Sequence, residues 1–323
     1  MLLILLFLVV LIGAVWSGLW YFAANWAEAA IAEAMAREAQ AGRMISCASR
    51  EISGFPFRML VRCDQAKLAV TRPEGVVTIA LPRLRGVAQI SDPRHVLIEA
   101  QSPLSIEVPG KPSIEIEWRS LAASLVPPIG GIGQGEVTVE APILHLREGQ
   151  SMISSSADRL ELQARRDPQN QDDAVAVTAT LSRLVSPLLD ALSGDADPAD
   201  IAVEASISAV AALQPQAREQ PAPLLERWRL AGGVLHLTRL TAIKGPLKAG
   251  LAGDLALDEL HRATGRIDAS LEGGEALLPR LGLPAAAGGL LRLGSGRLRL
   301  PIALTNGRVS VGPFSVARLL PLY

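Results

Sequence analysis

Residues 44–63 read M-I-S-C-A-S-R-E-I-S-G-F-P-F-R-M-L-V-R-C, and how this stretch pairs with itself decides the fold. Pro56 fixes its own φ and pushes Phe55 toward extended geometry, while Gly54 can take a positive φ, so Gly-Phe-Pro is a turn. After it, Phe57, Met59, Val61 and Cys63 alternate with Arg58, Leu60, Arg62 and Asp64; before it, Ile45, Cys47 and Ser49 alternate with Met44, Ser46 and Ala48. A period of two on both sides predicts two antiparallel strands. Paired about Phe55, the strands set Cys47 directly opposite Cys63, at the Cβ separation a disulfide uses. The expectation is a Cys47–Cys63 bridge across a hairpin, closing a loop of about 15 residues and contributing about 3 kcal/mol in the chain-entropy model. Such a bridge implies an oxidising space. The alternative is two buried free thiols in a cytosolic protein; no Cys-x-x-Cys or Cys/His spacing points to redox chemistry or zinc.

Upstream, residues 1–22 (MLLILLFLVVLIGAVWSGLWYF) carry no charged side chain and are long enough to cross a hydrocarbon core of about 30 Å as a helix. Trp16, Trp20, Tyr21 and Trp26 gather at the far end, as an interfacial aromatic belt does. No basic n-region opens the stretch, so a retained anchor is expected rather than a cleaved signal peptide. Residues 23–42 are strong helix formers stopped by Gly42, a helical stalk continuing the span. Anchor and bridge together predict a single-pass protein of a bacterial inner membrane with its C-terminal domain in the periplasm.

Downstream, short alternating runs separated by Gly and Pro recur every 8 to 12 residues or so: AKLAVT (66–71), VVTIALP (76–82), HVLIEA (95–100), SIEIEW (113–118), EVTVE (136–140), PILHLR (142–147) and RLELQAR (159–165). Two inserts read as helical, SRLVSPLLDALSG (182–194) and REQPAPLLERWRLAGG (218–233), with Gln214–Pro223 as a linker. Strands resume at VLHLTRL (234–240), LAGDLALDEL (251–260), GRIDASLEG (265–273) and GRLRLPIALTNG (296–307), where Asn306-Gly307 is a hairpin signal. The prediction is a mainly β chain: an N-terminal transmembrane helix and stalk, then a long curved antiparallel sheet, groove- or taco-like, with a few helical inserts. The β-rich domain is 43–323, divisible into halves 43–213 and 224–323.

Chemistry is sparse. A net charge of −1 gives no footprint for nucleic acid. His95, His145, His236 and His261 are scattered, with no i,i+4 pair. Gly130–Gly135 lacks the following helix a phosphate loop requires, and Asp195, Asp197 and Asp200 lack the glutamate that completes a calcium loop. No catalytic residue, metal or cofactor is expected, and no enzyme activity. Arg58 and Arg62 are candidates to grip an anionic headgroup, against a plainer role on the wet face of the hairpin.

Three pieces now carry a resemblance: G-F-P-F-R (54–58) with its flanking cysteines, GPLKAGLAGDLALD (245–258) and NGRVSVGPFSVARLLPL (306–322). Together they resemble the bacterial envelope family filed as domain of unknown function 2125, over most of the chain. The latter two also resemble strands of AsmA-like envelope proteins, which implies a long curved sheet whose concave face accepts lipid. The family has no assigned catalytic residues to transfer. Independently, 49% hydrophobic but only 4% aromatic residues make the apolar mass aliphatic, and helices to cover a second sheet face are scarce. Such a surface suits acyl chains, which need area rather than hydrogen-bond geometry. The expected function is binding or transfer of lipid in envelope biogenesis; the alternative is an anchored scaffold whose loops or sheet edge bind a protein partner.

Overall fold

The computed structural model describes residues 2–72, 75–126, 133–167, 173–213, 221–273, 292–293 and 297–323. The chain opens with α1 (Leu2–Gln40), one unbroken helix whose first charged residue is Glu28 and whose apolar window is uncovered by the rest of the chain. Gly42, with φ 76°, turns the chain back, and Thr71 donates its N–H to the Gly42 carbonyl. From Arg43 onward the chain is chiefly sheet.

The strands are β1 (Arg43–Ser46), β2 (Ser49–Ser53), β3 (Arg58–Arg72), β4 (Gly75–Gln89), β5 (Asp92–Gln101), β6 (Leu104–Glu107) and β7 (Ser113–Glu117). Next come β8 (Ser120–Val126), β9 (Gln134–Glu140), β10 (Ile143–Glu148), β11 (Ser151–Ser156), β12 (Arg159–Arg166), β13 (Ala174–Leu184) and β14 (Ala199–Ser208). The last are β15 (Leu235–Lys244), β16 (Leu247–Leu257), β17 (Ala263–Glu272), β18 (Arg292–Leu293), β19 (Arg297–Thr305), β20 (Arg308–Val311) and β21 (Phe314–Arg318). They form one open sheet, antiparallel in every described pairing, in which each pass lies beside the passes before and after it in the chain. The sheet runs on across residues 214–223, because β14 pairs with β15. Residues 130–132 of the Gly130–Gly135 loop and 214–220 of the Gln214–Pro223 linker lie outside the described residues; Gln134 and Gly135 open β9, and residues 221–223 open α3 rather than ending a linker.

Several passes are broken at one height. β1 gives way to β2 at Cys47–Ala48, β5 to β6 at Ser102–Pro103, and β7 to β8 at Trp118–Arg119. β9 likewise gives way to β10 at Ala141–Pro142, and β11 to β12 at Ala157–Asp158. Within β3 and β13, Gln65 and Arg183 take φ of 52° at the same level, and Pro82 of β4 faces Gln65. The interruptions are in register from strand to strand, so they form a transverse crease rather than scattered defects. Proline is tolerated there because the ladder is already open and needs no N–H. The short runs of the sequence are therefore halves of longer strands, and Pro82, Pro103 and Pro142 mark the crease instead of hairpin ends. Trp118 fills it, donating its indole N–H to the Ala100 carbonyl at 3.0 Å.

Two helices brace the sheet. α2 (Pro187–Ser193) follows Ser186, whose hydroxyl accepts from Ser155 of β11 at 3.0 Å, and is shorter than the 182–194 insert expected. Residues 182–184 belong to β13 instead. Lys244, 4% exposed, clamps the following loop: its Nζ donates to Asp190 Oδ1 at 2.6 Å and to the Asp197 carbonyl. α3 (Pro221–Leu230) packs Trp228 inward, the indole donating to the Ser208 carbonyl at 2.8 Å. Among the described residues, a cluster of buried side chains lies far along the sheet, where Leu271, Leu298, Leu300 and Val311 meet.

Candidate functional site: the apolar sheet face and its turn

Residues paired across an antiparallel ladder share a face, so the register tells which side chains share a surface. On the N-terminal side of the crease, Ile45, Leu68, Ile79, Ile106, Ile114, Leu146 and Ile153 form one transverse row over seven strands. The adjoining row on the other face reads Ser46, Lys67, Ala80, Ser105, Glu115, His145 and Ser154. Beyond the crease the pattern repeats at greater width. Ile52, Val61, Gly86, Ile98, Ala123 and Val137 continue into Leu162, Ala179, Val203, Leu240, Leu251, Ala269 and Leu300, with no polar residue across thirteen strands. The opposite face at that level opens with Glu51, Arg62, Arg85 and Glu99.

No second layer covers most of this aliphatic field among the described residues. Only twelve apolar side chains are buried among them, while Ile45, Leu162 and Ile153 are 39%, 41% and 40% exposed. α2 covers one corner, where Leu189 and Leu192 with Ile201 and Ala242 line an apolar cavity of about 100 Å³. A cavity of about 470 Å³ opens at the crease beside the cysteines, lined by Ser46, Gln65, Lys67, Leu81 and Pro103 among others.

Cys47 and Cys63 are bonded to each other, with Cα atoms 5.4 Å apart. The strand register differs from the expected one by three residues: Arg50, not Cys47, faces Cys63. The turn is longer than a pivot at Phe55, since it spends residues 54–57 and closes with Arg58 N–H on the Gly54 carbonyl at 3.0 Å. Cys47 sits in the crease between β1 and β2, where the open ladder lets it reach diagonally to Cys63.

The Gly54–Arg58 turn is held by α1. The Trp16 indole donates to the Pro56 carbonyl at 3.0 Å and Trp20 to the Arg58 carbonyl at 3.2 Å. Trp20 also meets Phe55 edge-on at 5.6 Å, and Trp16 lies 6.3 Å from Phe57. Higher on the helix, Arg50 reaches Glu28 at 3.7 Å and Met35 Sδ at 3.1 Å, and Arg43 pairs with Glu38. The first sheet edge thus lies back along α1, and residues 23–40 are its brace rather than a free spacer. Both Phe55 and Phe57 remain more than half exposed, at 54% and 69%.

The two candidate arginines part company. Arg62 is engaged on the polar face by Glu51 and by Asp64 at 3.4 Å. Asp64 itself lies below its ordinary pKa because Arg83, then Ser49, hydrogen-bond its carboxylate. Arg58 is exposed at the turn, with no ion pair among the described residues. The histidines pair singly: His95 with Ser124, His145 with Ser154 and His236 with Asp254. His261 stacks on Tyr323 at 4.3 Å, and both meet Glu226, whose carboxyl is held at about 2 by Arg229 and then Tyr323. No group of three or more His, Cys, Asp or Glu able to hold a metal occurs among the described residues. Asp200 instead accepts the Arg183 N–H, and Asp195 accepts the Asp197 N–H.

Compared with known proteins, residues 20–319 match the profile of a family described as "Uncharacterized protein conserved in bacteria (DUF2125)". No curated protein and no solved structure matches.

Proposed function

This chain belongs to the DUF2125 family of uncharacterized bacterial proteins, and from that premise we propose that it is a single-pass inner-membrane protein whose periplasmic sheet binds or hands on lipid in envelope assembly. One observation carries the reading: an aliphatic row without a polar interruption across thirteen strands, of which only Leu300 is buried. An antiparallel sheet with one apolar and one polar face is stable when something apolar lies on the first. Acyl chains meet that need because they require area and little directional bonding, and the face offers few rings. α1 supplies the anchor and the Cys47–Cys63 bridge suits an oxidising compartment.

Leu162 is the place to test this, since it stands mid-row between Val137 and Ala179 and is 41% exposed. Its exposure lets the fold accept a charge that an acyl chain on the row would not. Full-length protein and Leu162→Glu, extracted from the same membranes, share α1 and therefore its annular lipid. Mass spectrometry is expected to find lipid on the parent in excess of the variant. Equal lipid on two equally folded proteins would count decisively against the reading.

A second reading rests on a different feature. β21 has only β20 as a described partner, so its outer edge presents unpaired backbone groups that a strand of another protein could extend. Capture of a protein partner that Leu162→Glu leaves unchanged would favour that reading.

A further inference from the structure

We propose that the Gly54–Arg58 turn is a membrane foot: Phe55 and Phe57 enter the headgroup–acyl boundary of the bilayer that α1 crosses, and Arg58 meets lipid phosphate there. The inference rests on the anchor reading of α1, and it goes beyond it by seating part of the sheet domain in the lipid.

Level is the first argument. The turn touches α1 at Trp16 and Trp20, not at the charged part of the helix. Those residues lie 12 and 8 positions before Glu28, the first charge, or about 18 and 12 Å down a helix rising about 1.5 Å per residue. The headgroup layer on one side of a bilayer is only about 5–8 Å thick. With Glu28 in water, the contact at Trp16 therefore falls at or below the hydrocarbon boundary. Indoles prefer that boundary, and here each spends its N–H on a carbonyl of the turn, which fixes the turn at their depth.

Chemistry is the second. A water-facing turn has no reason to show two phenyl rings at 54% and 69% exposure, and Pro56 between them leaves one fewer N–H to satisfy in lipid. Arg58 follows at once, exposed and without an ion pair among the described residues, suited to phosphate at the headgroup level. The next hairpin is tied to the same point, Ile90 donating its N–H to the Phe57 carbonyl at 3.1 Å.

Continuity is the third. The lowest apolar row begins one residue past Arg58, with Met59, Ala88, Val96 and Leu125 in register. A foot at the leaflet surface would open the aliphatic face directly onto the acyl region, so that a lipid tail could pass from one to the other without crossing water.

A photoreactive benzoylphenylalanine placed singly at Phe57, at Leu8 in α1 and at Lys111 tests this. Lys111 follows β6 at the opposite end of the sheet, about 35 Å of strand from the turn at roughly 3.3 Å per residue. Each full-length variant is put into nanodiscs of phosphatidylethanolamine and phosphatidylglycerol, irradiated, and read for lipid adducts by intact mass. Blocked thiols at Cys47 and Cys63 serve as the check of folding. Adducts at Leu8 and Phe57, several-fold above Lys111, are expected. Adduct at Leu8 with Phe57 no higher than Lys111 overturns the foot and leaves the anchor standing. Background at all three overturns both.

Discussion

Gly265 and Gly253 sit in adjacent strands with φ of 146° and 152°, and a Cβ on either would overlap a carbonyl oxygen of the facing strand, Asp254 for the first and Arg266 for the second. Gly253 of the 245–258 motif and Gly265 thus let β16 and β17 approach closely in an unshifted stretch of ladder, a role short motifs suggest but spacing alone does not assign. Gly265→Ala is expected to cost at least about 2 kcal/mol, read as a lowered urea midpoint, because it combines backbone strain with a clash. Glu226 makes a second prediction. Its carboxyl titrates at about 2 in the folded chain against an ordinary 4.5, because Arg229 and then Tyr323 hydrogen-bond its charged form. A depressed pKa contributes stability above about 4.5 that is lost as the pH falls toward about 2. The protection factor of the Leu322 amide, whose N–H donates to the His261 carbonyl, is expected to fall over that interval as Tyr323 lets go of Glu226; Glu226→Gln should make the protection factor independent of pH there. At this scale Asn306-Gly307 was legible, both residues taking positive φ between β19 and β20. The division between Arg58 and Arg62 was not, since alternation places both on the wet side and cannot say which meets Glu51.

Among elements, the Cys47–Cys63 bridge joins the crease to β3 across a separation of 16 residues. Cys47→Ser with Cys63→Ser is expected to lose about 3 kcal/mol of unfolding free energy, the loop-closure value for that length. Pairing about Phe55 found the right partners through the wrong register, because two errors compensated: the turn is longer than its glycine and proline suggest, and Cys47 lies in a break that lets it slip back toward Cys63. The crease itself was hidden in plain sight. Proline ends most strands, so Pro82, Pro103 and Pro142 read as punctuation, and only the register shows them aligned. β8, β13 and β14 escaped notice because SLAASLV, AVAVTATLSRL and ADIAVEASIS are rich in Ala and Ser, which carry little strand preference until larger neighbours on the same face set it. α2 was placed but overextended, its first residues being claimed by β13.

For the whole molecule the aliphatic composition was the most telling signal, because it left apolar surface that α1, α2 and α3 could not cover. The accessible area bears this out: 20125 Å² for 34.1 kDa, where a compact monomer of that mass exposes about 12,800 Å². α1 and the open sheet both contribute to the difference. Neutron scattering with the detergent matched out is therefore expected to give a radius of gyration well above the about 20 Å of a compact chain this long; a value near 20 Å would mean the sheet closes on itself. Composition could announce an uncovered face. It could not order the strands, and the order has its own consequence. Since each pass pairs with its immediate predecessor, nothing near the C-terminus is needed before the beginning can form. A polypeptide that emerges N-terminal end first, as every nascent chain does, can zip up in the sequence in which it appears, each new hairpin templated by the last, starting from the edge already moored to the helix.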